Sequence, residues 1–442
     1  MATEYVKRSR GLTAVDISDT TKTVIEMLGR LEAEGEKATR AYSRELDDWA
    51  PDTFLVTEEQ IAAATNTLPL TVKEDIEYAN GQVRSFADAQ RESLHEFEIE
   101  LHPGLVVGQR NIPVDVAGCY VPGGRYAHVA SAAMSVATAK AAGVGHVTAC
   151  SPPRGQQGIH PAVLFAMHLA GADTIMCLGG VQAIAAMAFG HFTGKRADVL
   201  AGPGNTYVAE AKRLLFGRVG IDVLAGPTEA LVLADETADP WLIAVDLISQ
   251  AEHGQDSATI LISTSRSVAE ATISHIPRAL ARLPGDSVAA EAWESLGEVI
   301  LVDSREEAAA LADAYAMEHV EVHADDLDWW LANLHNYGSL FLGEETTVTY
   351  GDKTSGPNHI LPTRGAARYT GGLWVGKFIK TTTHQRMTRE ANKRIGRVAA
   401  RISRVEGMEG HALAGDVRLH KYFPDQPLET SVPAPPSVTS SE

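Results

Sequence analysis

Residues 114–124 read VDVAGCYVPGG. A short run of β-branched and small apolar residues ends in Pro-Gly-Gly, which stops a strand and lets the backbone turn sharply. The texture recurs as HVTACSPP at 146–153, TIMCLGG at 174–180, DVLAGPGN at 198–205 and DVLAGPTEALVLAD at 222–235, with Ala-rich stretches of helical length between. Strand, glycine turn and helix in repetition mark parallel α/β units. The two copies of DVLAGP, at 198–203 and 222–227, each read as a strand ending in a turn at the carboxyl edge of a sheet, where open α/β folds bind ligands. No G-x-G-x-x-G follows any of these runs, so a standard dinucleotide loop is not indicated.

Outward from this core, residues 20–50 and roughly 70–100 carry helical spacing and form an N-terminal helical region. On the other side, PWLIAVDLISQAEHG (240–254) reads as an amphipathic helix passing into the strand ATILIST, and AAALADAYAMEHVEV as a helix followed by an alternating segment. A loop-rich region runs to 372, a basic helix covers about 385–404, and the Pro/Ser-rich tail from Phe423 is expected to be disordered. The expected fold is α/β, with two Rossmann-like parallel-sheet domains (106–225 and 226–372), a helical N-terminal region (1–105), a C-terminal helical extension (373–422) and the tail (423–442).

Composition narrows the function classes. The chain has 442 residues, 57 acidic against 38 basic, and a net charge of −19. Nucleic acid or an anionic membrane would call for a basic face, so neither is an expected partner. The three cysteines, Cys119, Cys150 and Cys177, are far apart and in apolar surroundings, as buried thiols of a reducing compartment are. No apolar stretch has the length of a signal or a membrane span, so a cytoplasmic protein is expected.

Four local patterns carry chemistry. Gln250 and His253 in SQAEHG share a helix face near its end, a spacing that suits either a polar terminus or a pair of metal ligands. Glu318 and His319 put an acid beside a base, as proton transfer needs, although adjacent charges are also common on surfaces. The turn-rich segment GDKTSGPNHILPT (351–363) brings Asp352 and His359, and VEGMEGH brings Glu406 and His411. Together they offer His, His, Asp and Gln, a set suited to a borderline metal such as zinc.

The order of these patterns resembles the histidinol dehydrogenase family: QAEHG, then EH before alternating apolar residues, then GD-x-x-SG-x-NH-x-LPT, then E-x-x-x-x-H. YVPGG at 120–124, GGVQAIAAMAFG at 179–190, GPGN at 202–205 and AGPTE at 225–229 extend the likeness over residues 20–415. The resemblance implies an NAD-dependent zinc enzyme that oxidises a primary alcohol twice, through an aldehyde to a carboxylate. By motif it makes Gln250, His253, Asp352 and His411 the zinc ligands, His319 the base for the alcohol, and Glu318 the group that activates water. It places Tyr120, Gln182 and Asn205 at NAD, and Thr228, His359 and Glu406 at the substrate. It also implies an intertwined homodimer in which His411 and Glu406 can act in trans.

The sequence departs from the family where the amino group of histidinol would bind. The family's TPESxGDY is TTVTYGDK here, so Val348 stands where a glutamate would face the ammonium, and the serine of GPSE is Thr228. A buried ammonium there would lose its counter-charge, at a cost on the order of a few kcal/mol. After PGG the family is small and apolar, whereas this chain has Arg125, Tyr126 and His128. Losing an anion and gaining a guanidinium suits a substrate with a negative group; Arg125 could instead meet the NAD pyrophosphate. Within the family, PGGRYAHVASA-x-M and AGPTE are similar to the branch acting on a sulfonated diol, (R)-2,3-dihydroxypropane-1-sulfonate. The other readings are histidinol itself, with Glu344 or Glu345 pairing the ammonium, another anionic diol, and a non-catalytic NAD- or zinc-binding protein.

Overall fold

The computed structural model describes residues 4–10, 18–123, 126–224, 226–285, 287–427 and 429–431. These form two compact units, one combining the chain up to Ser93 with Pro113–Ile379, the other combining Leu94–Ile112 with the chain from Lys380 onward. The fold is α/β with parallel sheets, as the recurring strand–glycine–helix texture predicts.

The first unit holds two sheets. One has five parallel strands in the order Thr174–Cys177, His146–Ser151, Val116–Tyr120, Val199–Ala201 and Gly220–Ile221. Chain order reverses between Val116–Tyr120 and Val199–Ala201, leaving a crevice at their carboxyl ends, the usual ligand position of an open sheet. The other sheet runs Glu4–Lys7, Glu298–Leu301, Ala258–Ser263, Glu229–Ala234, His319–His323 and Ser339–Leu342, with only the Glu4–Lys7 edge antiparallel. Its central strand EALVLA is buried at all six positions, because helices cover both faces. Val232, Leu261 and Val299 pack to one side, and Leu231, Leu233, Ile260, Ile262 and Val320 to the other.

The second DVLAGP copy departs from expectation. Its preceding strand ends at Ile221, so Asp222, Val223 and Leu224 lie beyond the strand and before Glu229–Ala234. Asp222 is drawn into a buried ion pair with Lys212, whose side chain is 2% exposed. The Lys212 ammonium also donates to the carbonyls of Gly202, at 2.8 Å, and Val223, at 3.1 Å, while Asp222 accepts from the Gly202 N–H at 2.7 Å. A charge bound this way cannot sit in a strand ladder, and its partner comes from helix Thr206–Leu215. Gly202 has φ +116, and a Cβ there would lie 1.9 Å from the Tyr120 carbonyl oxygen, so this turn requires glycine.

The second unit corrects two further expectations. The helix expected over about 70–100 ends at Glu92, and Phe97–His102 is a strand paired antiparallel with Leu105–Pro113, in one sheet with Ile379–Met387. The basic C-terminal helix starts at Arg389, capped by the Thr388 hydroxyl, and ends at Val405. A second helix, Glu409–Tyr422, follows where the glycines of VEGMEGH suggested a broken stretch. The three cysteines are free and buried. Among the described residues no helix is long and apolar enough to cross a membrane.

Candidate active site

A cavity of about 530 Å³ in the first unit collects most of the residues singled out in the sequence. Gln250, His253, Glu318, His319, Asp352 and His359 line it, and Thr228 and His128 complete its walls. Glu318 and His319 enter at the amino end of strand His319–His323, while Pro203 and Gly226 of the two DVLAGP turns also line the cavity, the first just beyond the carboxyl end of strand Val199–Ala201. Helix Pro240–Ala251, started by Asp239 and Pro240, delivers Gln250 in its last turn and His253 just beyond. The short helix Val348–Lys353 delivers Asp352.

The backbone of Glu229 orients the central pair. Its N–H donates to Glu318 Oε2 at 3.1 Å, and its carbonyl accepts from His319 Nδ1 at 3.1 Å. A carbonyl can only accept, so Nδ1 carries the proton and Nε2 presents a lone pair. Burial, with His359 adding to it, pushes the His319 pKa down to about 3, so the imidazole is neutral. Burial raises the Glu318 carboxyl well above its usual range. His359 stacks on His319 with ring centroids 5.5 Å apart, and its Nδ1 donates to the Pro357 carbonyl at 3.1 Å. Gly351 makes this packing possible, since a Cβ there would lie 2.3 Å from the His359 ring.

The donor set fits a metal ion. Ligand atoms of His319, Asp352 and His359 lie within 4.8 Å of one another, and His253 Nε2 is 4.0 Å from Asp352 Oδ2. Gln250 Oε1, His319 Nε2 and His359 Nε2 are buried without a hydrogen-bond partner among the described residues. Buried polar atoms of this kind normally have partners, and here they gather around a carboxylate. His411 is exposed on the first turn of helix Glu409–Tyr422, and Glu406 caps the end of Arg389–Val405; both belong to the second unit.

Tyr120 ends strand Val116–Tyr120, Gln182 lies in the first turn of helix Gly180–Phe189, and Asn205 follows strand Val199–Ala201. The Tyr120 hydroxyl accepts from the Gly180 N–H at 3.2 Å, Gln182 donates to Asp47 at 2.8 Å, and Asn205 caps helix Thr206–Leu215. Gln182 Oε1 is buried without a hydrogen-bond partner among the described residues. Arg125 lies outside the described residues. Val348 is fully buried and donates its N–H to Glu321, while its neighbour Thr349 lines the cavity. Glu344 accepts from the Asp239 N–H, and neither Glu344 nor Glu345 lines the cavity.

Sequence reasoning missed Ser249, Glu252, Thr349 and Lys353 on the walls. It also missed a buried cluster beneath them. His323 Nε2 lies 3.4 Å from Glu321 Oε2 and 3.7 Å from Asp246 Oδ2, and Asp246 accepts from the Thr347 hydroxyl at 2.9 Å. Glu321 sits two residues from His319, and Asp246 one helical turn before Gln250, so this cluster ties together the elements that carry the site. The alternation in HVEVH was the available signal.

The fold and this site define an α/β oxidoreductase, and the sequence relationships give the family. Residues 12–419 match histidinol dehydrogenase, and the chain belongs to that family of NAD-dependent enzymes acting on CH–OH groups. It is 55% identical over 426 residues to a histidinol dehydrogenase homolog of Ruegeria pomeroyi, covering 96% of this chain and 98% of that one. It is 53% identical over 431 residues to the sulfopropanediol 3-dehydrogenase of the same organism, covering 97% and 99%. The crystal structure of histidinol dehydrogenase from Elizabethkingia anophelis superimposes with a TM-score of 0.87 at 33% identity, covering 93% and 94%.

Proposed function

We propose that the protein is a zinc-dependent sulfopropanediol 3-dehydrogenase, oxidising (R)-2,3-dihydroxypropane-1-sulfonate to (R)-sulfolactate with two NAD. The observation that carries this reading is the pairing of Glu318 and His319 on one backbone residue, with a buried Val348 outside the cavity where the family resemblance would place a glutamate for an ammonium. The 53% identity to a sulfopropanediol 3-dehydrogenase supports the substrate.

Gln250, His253 and Asp352 would hold the zinc, with His411 as fourth ligand; Tyr120, Gln182 and Asn205 would hold NAD. When bound, zinc supplies Lewis-acid polarisation of the substrate oxygen and NAD accepts hydride. His319 Nε2, with its lone pair free, takes the hydroxyl proton as the carbinol hydrogen leaves. In the second oxidation Glu318 takes the proton of the water that adds to the carbonyl. A single oxidation to the aldehyde would leave Glu318 without a task. Arg125, His128, Thr228, His359 and Glu406 orient the diol and its anionic end.

His411 and Glu406 reach the site from a second copy in an intertwined homodimer. Val398, Ile402, Val405, Leu413 and Val417 are exposed on the two C-terminal helices, and apolar side chains gathered like this mark an association surface. Zinc-loaded protein incubated with NAD and the racemic sulfonate should yield sulfolactate, identified by mass spectrometry. Recovery of unreacted diol alone would contradict the reading.

A further inference from the structure

Among the described residues lining the active-site cavity, Lys353 is the only lysine or arginine. It occupies the last turn of helix Val348–Lys353, its side chain 60% exposed. Its Nζ is 3.5 Å from Asp352 Oδ2, longer than the 2.7–2.9 Å of a charge-assisted hydrogen bond. Asp352 is engaged elsewhere, clustered with His319 and His359 and facing His253. The ammonium is thus held loosely and can turn into the cavity.

His128 shares this end of the site. Its imidazole lines the same cavity and can donate an N–H. Glu318 lines the same cavity. Asp352 links His319 to Lys353, with a ligand atom within 4.8 Å of one on His319 and its Oδ2 3.5 Å from Lys353 Nζ. A three-carbon diol can span that gap, with its hydroxyl at His319 and its terminal anion at Lys353.

We infer that Lys353 is a specificity-determining residue that pairs with the anionic group of the substrate, with His128 donating a hydrogen bond beside it. This rests on the anionic-diol reading above. The helix that elsewhere in the family presents a glutamate to an ammonium here buries Val348 and presents a cation five residues further on.

The test compares kcat/KM for racemic 2,3-dihydroxypropane-1-sulfonate, glycerol 1-phosphate and uncharged glycerol in wild type, Lys353→Met and Lys353→Arg, all as the zinc-loaded assembled enzyme. Lys353→Met should lower the anionic-to-neutral ratio by about 10- to 100-fold, mainly through KM, as loss of one charged hydrogen bond does. Lys353→Arg should restore most of it. An unchanged ratio in Lys353→Met overturns the assignment and leaves the sulfonate reading standing. A wild type that turns over the phosphate but not the sulfonate, with the ratio still collapsing in Lys353→Met, supports Lys353 and overturns the sulfonate. A wild type that prefers L-histidinol to every anionic diol overturns both.

Discussion

Glu229 holds the Glu318 and His319 side chains through one peptide segment: its N–H meets Glu318 at 3.1 Å and its carbonyl meets His319 Nδ1 at 3.1 Å. The contact fixes the tautomer of the base, and the substitution Glu229→Pro would remove the donor to Glu318. Replacing the side chains separates their roles. His319→Gln should lower kcat by about 10²- to 10⁴-fold, the usual contribution of a positioned base. Glu318→Gln should permit the first oxidation and stall the second, so that trapped aldehyde accumulates; undiminished acid formation would remove Glu318 from that step.

Zinc removal follows from the donor cluster. Chelation should abolish turnover, lower the melting temperature because the ion binds only the folded chain, and be reversed by added zinc. Gln250→Ala and His253→Ala should each reduce zinc content in proportion to activity. Full zinc occupancy in both variants would place the ion elsewhere.

The Lys212–Asp222 pair is a structural counterpart. Both side chains are nearly inaccessible, and removing one partner strands the other charge. Lys212→Met should cost about 3–5 kcal/mol in urea unfolding, well above an exposed pair such as Arg10–Glu294, where the same measurement should show about 0–1 kcal/mol.

These cases show what a sequence can carry. The parallel strands were legible because burial on both faces leaves unbroken apolar runs, as in EALVLA. The metal and acid–base residues were legible as types, since their chemistry restricts which side chains can serve. The end of the sheet at which they meet was not, because Glu229, Glu318 and Asp352 are brought together only by strand order. Asp222 misled for a related reason: its partner Lys212 sits on a separate helix, and nothing within DVLAGP announces it. Phe97–His102 was hidden because none of its residues is buried, so no apolar face marks it; its partner is the nearby Leu105–Pro113, and the third strand, Ile379–Met387, pairs with that partner.

The Asp246–Glu321–His323 cluster predicts a pH dependence of stability. Burial, and then the Glu321 charge, push Asp246 up to about 8 from an ordinary 3.8. The folded state therefore binds this proton more tightly than the unfolded one, and stability falls as pH rises through that window. The melting temperature should drop between pH 5 and pH 8, and Asp246→Asn should flatten the drop. An equal drop in the variant would assign it to other groups.

The C-terminal helices supply another test. Ile402→Glu, on an exposed apolar face, should shift the protein toward monomer in sedimentation and reduce turnover together. Full activity in a monomer would mean that each chain completes its own site.

The most direct measurement is NADH yield with limiting substrate, on racemic 2,3-dihydroxypropane-1-sulfonate and on L-histidinol in parallel. The account predicts about two NADH per molecule of one sulfonate enantiomer and little from histidinol, since Val348 removes the counter-charge for an ammonium. Two NADH per histidinol with none from the sulfonate would contradict it.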